Sequence, residues 1–144
     1  MTAQSLYEDG LREAERHKWI ESQKSGRDMG DSAMRDWYCR YWFRYVRCRR
    51  LEHVTGLRAW KEFGSDDFGK VGQMIQTGEP LLAKILDLAN QGKENFNIIY
   101  WALEQGLPEE SVLEFLELID INAARLEPVG PPQFAEPAAI RRGS

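Results

Sequence analysis

Two histidines and two glutamates are the residues of this chain best suited to binding a metal or transferring protons. Glu13 lies four residues before His17, and Glu52 is the neighbour of His53. These side chains could form one site shared by two helices, but the Glu-x-x-His pairs of di-iron bundles are absent. Zinc would need more nitrogen or sulfur ligands. The sequence therefore favours histidines hydrogen-bonded at helix edges and predicts no cofactor. A metal protein or helical enzyme using these four residues is the second alternative.

The two cysteines, Cys39 and Cys48, are candidate nucleophiles without an identifiable catalytic base. On one predicted helix they lie on opposite sides and about 13 Å apart along the axis, too far for a disulfide between them. The chain also lacks Gly-x-Ser-x-Gly, Walker-type and Gly-x-Gly-x-x-Gly motifs. These absences favour a non-enzymatic role.

Several arginines and one aromatic residue could bind nucleic acid. Helical periodicity places Arg40, Phe43, Arg47 and Arg50 on one polar side, and Arg58 follows shortly afterwards. Arginines can contact phosphates while an aromatic ring stacks on a base, which suits RNA or single-stranded nucleic acid. The net charge of −4 is less typical of a DNA-binding domain. Binding of nucleic acid through this face is the first alternative function.

One long helix must position most of these residues, and the sequence predicts it from Asp31 to about Thr55. Asp31 or Ser32 can cap its start, and Gly56 suits its end. The helix contains six aromatic residues and six arginines. Its broad apolar side is predicted to be buried and consists of Ala33, Met34, Trp37, Tyr38, Tyr41, Trp42, Tyr45, Cys48 and Leu51. A side of that width should pack against at least two other helices.

The other segments predict an all-α fold with a single domain spanning residues 1–126. Residues 4–25 predict a first helix, which a glycine-containing turn joins to the central helix as an antiparallel hairpin. Three or four shorter helices are predicted to pack on this hairpin. The clearest begin near Pro80, Asn95 and Pro108, with the last one extending to about residue 126. No run of alternating β-branched residues predicts a strand.

Two segments are less regular. Glycines interrupt the residues after Gly56, where Ser65 is predicted to cap a short helix that includes Phe68, Val71, Met74 and Ile75. Residues 127–144 are rich in proline and are predicted to form a disordered tail, with Phe134 as a docking residue.

The turn between the first two helices contains a distinctive segment. It reads His17-Lys18-Trp19-Ile20-Glu21-Ser22, followed by Gly26-Arg27-Asp28-Met29-Gly30. It resembles His-[Lys/Arg]-Trp-x-x-Ser-Glu-x-x-Gly-Arg-Asp-[Val/Leu]-Gly in a family of bacterial proteins with no assigned activity. The chain departs from that pattern at Gln23 and Met29. The resemblance implies no catalytic residue, but it implies a fixed corner formed by Trp19, Ser22, Gly26, Arg27, Asp28 and Gly30. In that corner Asp28 could cap the next helix, and Arg27 could bind a carboxylate.

Charge is distributed unevenly along the 144 residues. Residues 1–72 contain 14 Lys/Arg and 12 Asp/Glu, whereas residues 73–144 contain 5 and 11. The two halves could pair within one chain or between chains. The N-terminal sequence lacks the apolar run of a signal peptide, and no disulfide is expected, which favours a bacterial-type cytoplasmic protein without a membrane span. The sequence therefore favours a non-enzymatic protein-interaction or regulatory module with a protein partner, able to form homo-oligomers.

Overall fold

The computed structural model describes residues 3–128, and this part of the chain forms six α-helices and no β-strand. The helices are α1 (Leu6–Ser25), α2 (Gly30–Thr55), α3 (Gly72–Gln76), α4 (Pro80–Asn90), α5 (Asn95–Glu104) and α6 (Glu109–Ile119). Short 3₁₀ turns span Lys61–Phe63, Ser65–Asp67 and Ile121–Ala124. The all-α prediction is confirmed, with four shorter helices after the hairpin. Most of the predicted tail, including Phe134, lies outside the described residues.

Local residue chemistry sets the helix ends. Ser5 caps α1 by accepting a hydrogen bond from the Glu8 amide. Gly26 ends α1 in the left-handed conformation, with φ of 74°. The prediction that Asp31 or Ser32 caps α2 was wrong: the helix begins at Gly30, before both residues, and its N-cap residue Met29 makes no side-chain capping bond. The Ser32 hydroxyl donates instead to the Met29 carbonyl.

The long helix α2 contacts α1, α3, α4 and the Ile121–Ala124 turn, as expected of a central helix. Its buried side differs from the predicted one. Tyr41 is exposed and Cys48 is only partly buried, whereas Arg50 and His53 are buried. The reason is that α1 covers the N-terminal part of α2, while the following loop and the later helices cover a different side of its C-terminal part. One helical wheel cannot represent two sets of neighbours.

The segment after α2 folds back onto the end of that helix. The Gly69 amide donates to the His53 carbonyl at 2.7 Å, and the Val71 amide donates to the Val54 carbonyl at 3.0 Å. A Cβ atom on Gly72 would lie 2.9 Å from the Thr55 carbonyl oxygen, so the close approach requires glycine. This segment forms two 3₁₀ turns and the five-residue α3, in place of the predicted helix capped by Ser65.

The last predicted helix is shorter than expected. It ends at Ile119, because Asp120 adopts a positive φ of 47° that a helix cannot continue. The following 3₁₀ turn buries Ile121 and Ala124, whereas Ala123 is only partly buried. The turn brings the chain back onto α2.

The buried side chains form two clusters. The aromatic cluster contains Leu6, Ala14, Met34, Trp37, Tyr38, Trp42, Tyr45, Val46, Trp60, Phe63 and Ala124. The aliphatic cluster contains Leu51, Val54, Val71, Leu82, Ile85, Ala89, Ile98, Ala102, Val112, Phe115, Leu116, Ile119 and Ile121. Between residues 3 and 128, none of the helices combines the length and the apolar character needed to cross a bilayer.

Candidate functional site

The two histidines lie at different levels of the α1–α2 hairpin. His17 Nε2 lies 3.1 Å from Asp36 Oδ2, near the start of α2. His53 lies near its end, and 17 residues of helix separate it from Asp36, or about 25 Å. The predicted site shared by Glu13, His17, Glu52 and His53 is therefore not formed. Within the described residues, no group of three or more potential ligands could hold a metal ion.

His53 has a structural environment in which both ring nitrogens are hydrogen-bonded. The Trp60 amide donates to Nδ1 at 2.9 Å, so the proton lies on Nε2, which donates to the Gly64 carbonyl at 2.7 Å. Burial, together with the nearby charge of Arg50, lowers the pKa of His53 below its ordinary value. A neutral imidazole with neither nitrogen available is poorly placed for proton transfer to a ligand.

The predicted basic face does not form a single surface. Arg40 and Phe43 are exposed, and Arg40 pairs with Asp36 at 2.8 Å. Arg47 binds the Lys93 carbonyl and the Glu94 carboxylate, which leaves only 14 % of its side chain exposed. Arg58 is exposed at the far end of α2, with its guanidinium 5.7 Å from the centre of the Trp60 ring. The predicted residues are therefore dispersed and do not form one continuous basic face.

Arg50 was predicted on the exposed side of α2, but it is completely buried. Its Nε donates to the Ile119 carbonyl at 3.0 Å, and one terminal nitrogen binds Asp67 at 2.9 Å. The guanidinium also lies 5.1 Å from the centre of the Phe63 ring. Burial alone would raise the pKa of Asp67, but hydrogen bonds from Arg50 and Lys70 outweigh that effect and lower it. Arg50 thus connects the two clusters and is not available to bind a ligand.

The corner between α1 and α2 is formed mainly by two polar side chains. Ser22 Oγ accepts from the Met29 amide, and Asp28 Oδ1 accepts from the Gly30 amide, each at 2.9 Å. Trp19 and Arg27 are exposed beside them, and Arg27 forms no ion pair among residues 3–128. Gly26 and Gly30 both adopt positive φ values. The predicted corner residues therefore lie together, although the expected carboxylate partner of Arg27 is absent from the described chain.

The clearest exposed apolar surface lies on α5. Phe96, Tyr100 and Leu103 are 75 %, 59 % and 52 % exposed and follow the spacing i, i+4, i+7. This spacing aligns them along one face of a helix. The opposite face of α5 contributes Ile98 and Ala102 to the aliphatic cluster. We call Phe96, Tyr100 and Leu103 the α5 stripe.

Two features show that the α5 stripe is an ordered surface. The Phe96 and Tyr100 rings stack with their centres 6.5 Å apart and their planes inclined by 23°. The start of α5 is held by a capping box between Glu94 and Asn97. Sequence reasoning identified the helix but missed the stripe. The available signal was Phe96 together with the apolar run from Ile98 to Leu103, a set too wide for a helix with one buried face.

Comparisons with protein-family models, curated proteins and solved structures gave no match, so the resemblance of residues 17–30 stays a prediction.

Proposed function

We propose that this protein is a non-enzymatic interaction module that associates with a second copy of itself through the α5 stripe. The observation that carries the proposal is the alignment of three exposed, large apolar side chains on one short helix. Single exposed apolar residues are normal on protein surfaces, but contiguous groups mark interaction sites more often. Each of these side chains gains about 1–2 kcal/mol when a partner removes it from water.

The distribution of charge favours this apolar surface over charge-driven association. Part of the basic first half already pairs with the acidic second half within one chain, as in the contact of Arg47 with Glu94. Arg50 and Arg49 are also engaged, with Asp67 and Glu52. Few cations of α2 are therefore available to attract the acidic surface of another copy.

The size of the stripe supports a weak, concentration-dependent dimer. Side chains of this type bury about 150–250 Å² each when fully covered. At the observed exposures, a symmetric pair would hide roughly 700 Å² of stripe surface, less than the roughly 1,200 Å² of stable complexes. A two-fold arrangement needs only one surface, because each stripe covers the other. The two free cysteines are compatible with a reducing compartment, and we place this association in the cytoplasm.

Sedimentation equilibrium tests this proposal directly. The full chain should shift from monomer to dimer with a dissociation constant of about 10 µM to 1 mM. The double variant Phe96→Gln/Tyr100→Gln should stay monomeric across that range. Because both side chains are exposed, its unfolding free energy should stay within about 0.5 kcal/mol of the wild type.

Leu57→Gln provides a matched control. Leu57 is 74 % exposed but lies beyond the end of α2, away from the stripe. This variant should dimerise like the wild type. A wild-type chain that remains monomeric at millimolar concentration, or a folded stripe variant that still dimerises, would overturn the proposal.

A further inference from the structure

The α5 stripe has opposite charges at its two ends. Lys93 lies two residues before the start of α5, next to the N-cap residue Glu94, and Glu104 is the last residue of the helix. Both side chains border one small groove together with Tyr100, Asn97 and Trp101. Asn95–Glu104 contains no other charged residue. The apolar surface therefore has a cation at one end and an anion at the other.

Within one copy, neither charge lies at the end of α5 that the helix dipole favours. The N-terminus of a helix attracts anions and its C-terminus attracts cations, but here Lys93 is near the N-terminus and Glu104 is at the C-terminus. Neither side chain forms an ion pair within residues 3–128. The contrast is with Glu94, which caps α5 and binds both Arg47 and Arg125.

We infer that two copies pair with their α5 helices antiparallel, so that Lys93 of each copy binds Glu104 of the other. This inference rests on the proposed self-association and specifies its geometry. In such a pair, the N-terminal end of each helix lies beside the C-terminal end of its partner. Each charge then meets both an opposite charge and the favourable end of a helix dipole.

The apolar residues fit the same arrangement. If Lys93 lies opposite Glu104 of the other copy, the two-fold axis passes midway between these two positions of the chain. If Phe96 lies opposite Leu103 of the other copy, the axis passes at nearly the same point. The two axis positions differ by one residue, or about 1.5 Å along the helix. A single two-fold axis near Ile99 therefore allows both the apolar contacts between the two stripes and the ion pairs to form. A parallel pair would instead place lysine beside lysine and glutamate beside glutamate.

Charge reversal combined with sedimentation equilibrium tests the inference. Lys93→Glu and Glu104→Lys should each weaken the dimer about tenfold, because every interhelical ion pair becomes a repulsion. The double variant Lys93→Glu/Glu104→Lys should regain wild-type affinity. An equimolar mixture of the two single variants should also form dimers at wild-type concentrations, since all the facing charges are again opposite.

The control is Glu117→Lys, an exposed charge reversal on α6 that should leave the affinity unchanged. Circular dichroism of each variant verifies that the helices are retained. If the wild type dimerises through the stripe but neither single reversal weakens it, the antiparallel pairing is wrong while the proposed function stands. If the wild type does not dimerise at all, both are wrong.

Discussion

The aromatic and aliphatic clusters bury large side chains in different ways. Trp42 is completely buried, and its Nε1 donates to the Leu126 carbonyl at 2.8 Å. The buried Tyr45 hydroxyl lies 2.5 Å from Asp9 Oδ2. Among the buried residues of the aliphatic cluster Phe115 is the one aromatic, and Phe96 and Tyr100 remain exposed outside the cluster. The same residue types therefore stabilise the hairpin in one region and are available to a partner in the other.

The centre of the aromatic cluster is Trp42. Its ring contacts those of Tyr7, Trp37, Tyr38 and Tyr45, with centres between 5.4 and 6.2 Å apart. Burial and the hydrogen bond to Asp9 raise the pKa of Tyr45 above its ordinary value, which keeps its hydroxyl protonated. The stability of such a cluster depends on how closely its rings fit together as well as on the apolar area that they bury.

Replacing Arg50 is expected to have the largest effect, because this residue connects the two clusters through Phe63 and Ile119. Arg50→Ala should lower the free energy of unfolding by about 3–5 kcal/mol, since it opens a cavity and leaves Asp67 without its main partner. Urea denaturation monitored by tryptophan fluorescence and by circular dichroism measures the loss.

The matched control is Arg40→Ala, which removes an exposed i,i+4 ion pair with Asp36 and should cost less than about 0.5 kcal/mol. Tryptophan fluorescence and circular dichroism should report the same unfolding transition in the wild type. Equal losses for Arg40→Ala and Arg50→Ala would contradict the connecting role of Arg50.

Gly10→Ala should have an intermediate effect confined to the aromatic cluster. A Cβ atom at this position would lie 2.8 Å from Trp42 Cζ3. Alanine favours helices over glycine by about 1 kcal/mol, but overpacking costs about 1–3 kcal/mol. We therefore expect the variant to be destabilised, as measured by thermal and urea unfolding.

A double-mutant cycle separates these two contributions. In Trp42→Phe the clashing part of the ring is removed, so adding Gly10→Ala to that variant should no longer destabilise it. A Gly10→Ala substitution that stabilises the wild-type protein would show that the cluster can expand, unlike a tightly packed core.

The smallest effect should be a pH dependence located where the two clusters meet. Burial lowers the pKa of folded His53 below its ordinary value of 6.5. The free energy of unfolding should therefore be highest above pH 6.5 and decrease below it. As the pH falls, the unfolded chain binds a proton at His53 before the folded chain does. The expected slope is at most about 1.4 kcal/mol per pH unit. Arg50, Asp67 and Lys70 face this histidine.

His53→Gln cannot titrate and should lose the slope just below pH 6.5, although it is less stable overall. The lowered pKa of Asp67 adds a separate loss below its ordinary value of 3.8, which this variant should retain. Unfolding free energies measured from pH 8 to pH 3 distinguish the loss below pH 6.5, which is assigned to His53, from the loss below pH 3.8, which is assigned to Asp67. An unchanged slope in His53→Gln would assign the effect to another group.

The amino-acid sequence was sufficient to predict the helices whose ends are marked by local chemistry. Gly26 and Gly56 end α1 and α2, and Pro80 begins α4, because these residues act on the backbone where they stand. The end of α6 was not predictable in this way, since Asp120 is not a residue type that normally requires a positive φ.

By itself, then, the sequence determined an all-α chain with a long aromatic and arginine-rich central helix, because periodicity and capping operate over a few residues. Only the tertiary structure decided which arginines are exposed: Arg40 reaches solvent, whereas Arg50 is covered by segments distant in the chain. It also decided that the Phe96 side of α5 has no covering helix among residues 3–128. Burial depends on which neighbours arrive from elsewhere in the chain, and no local pattern contains that information.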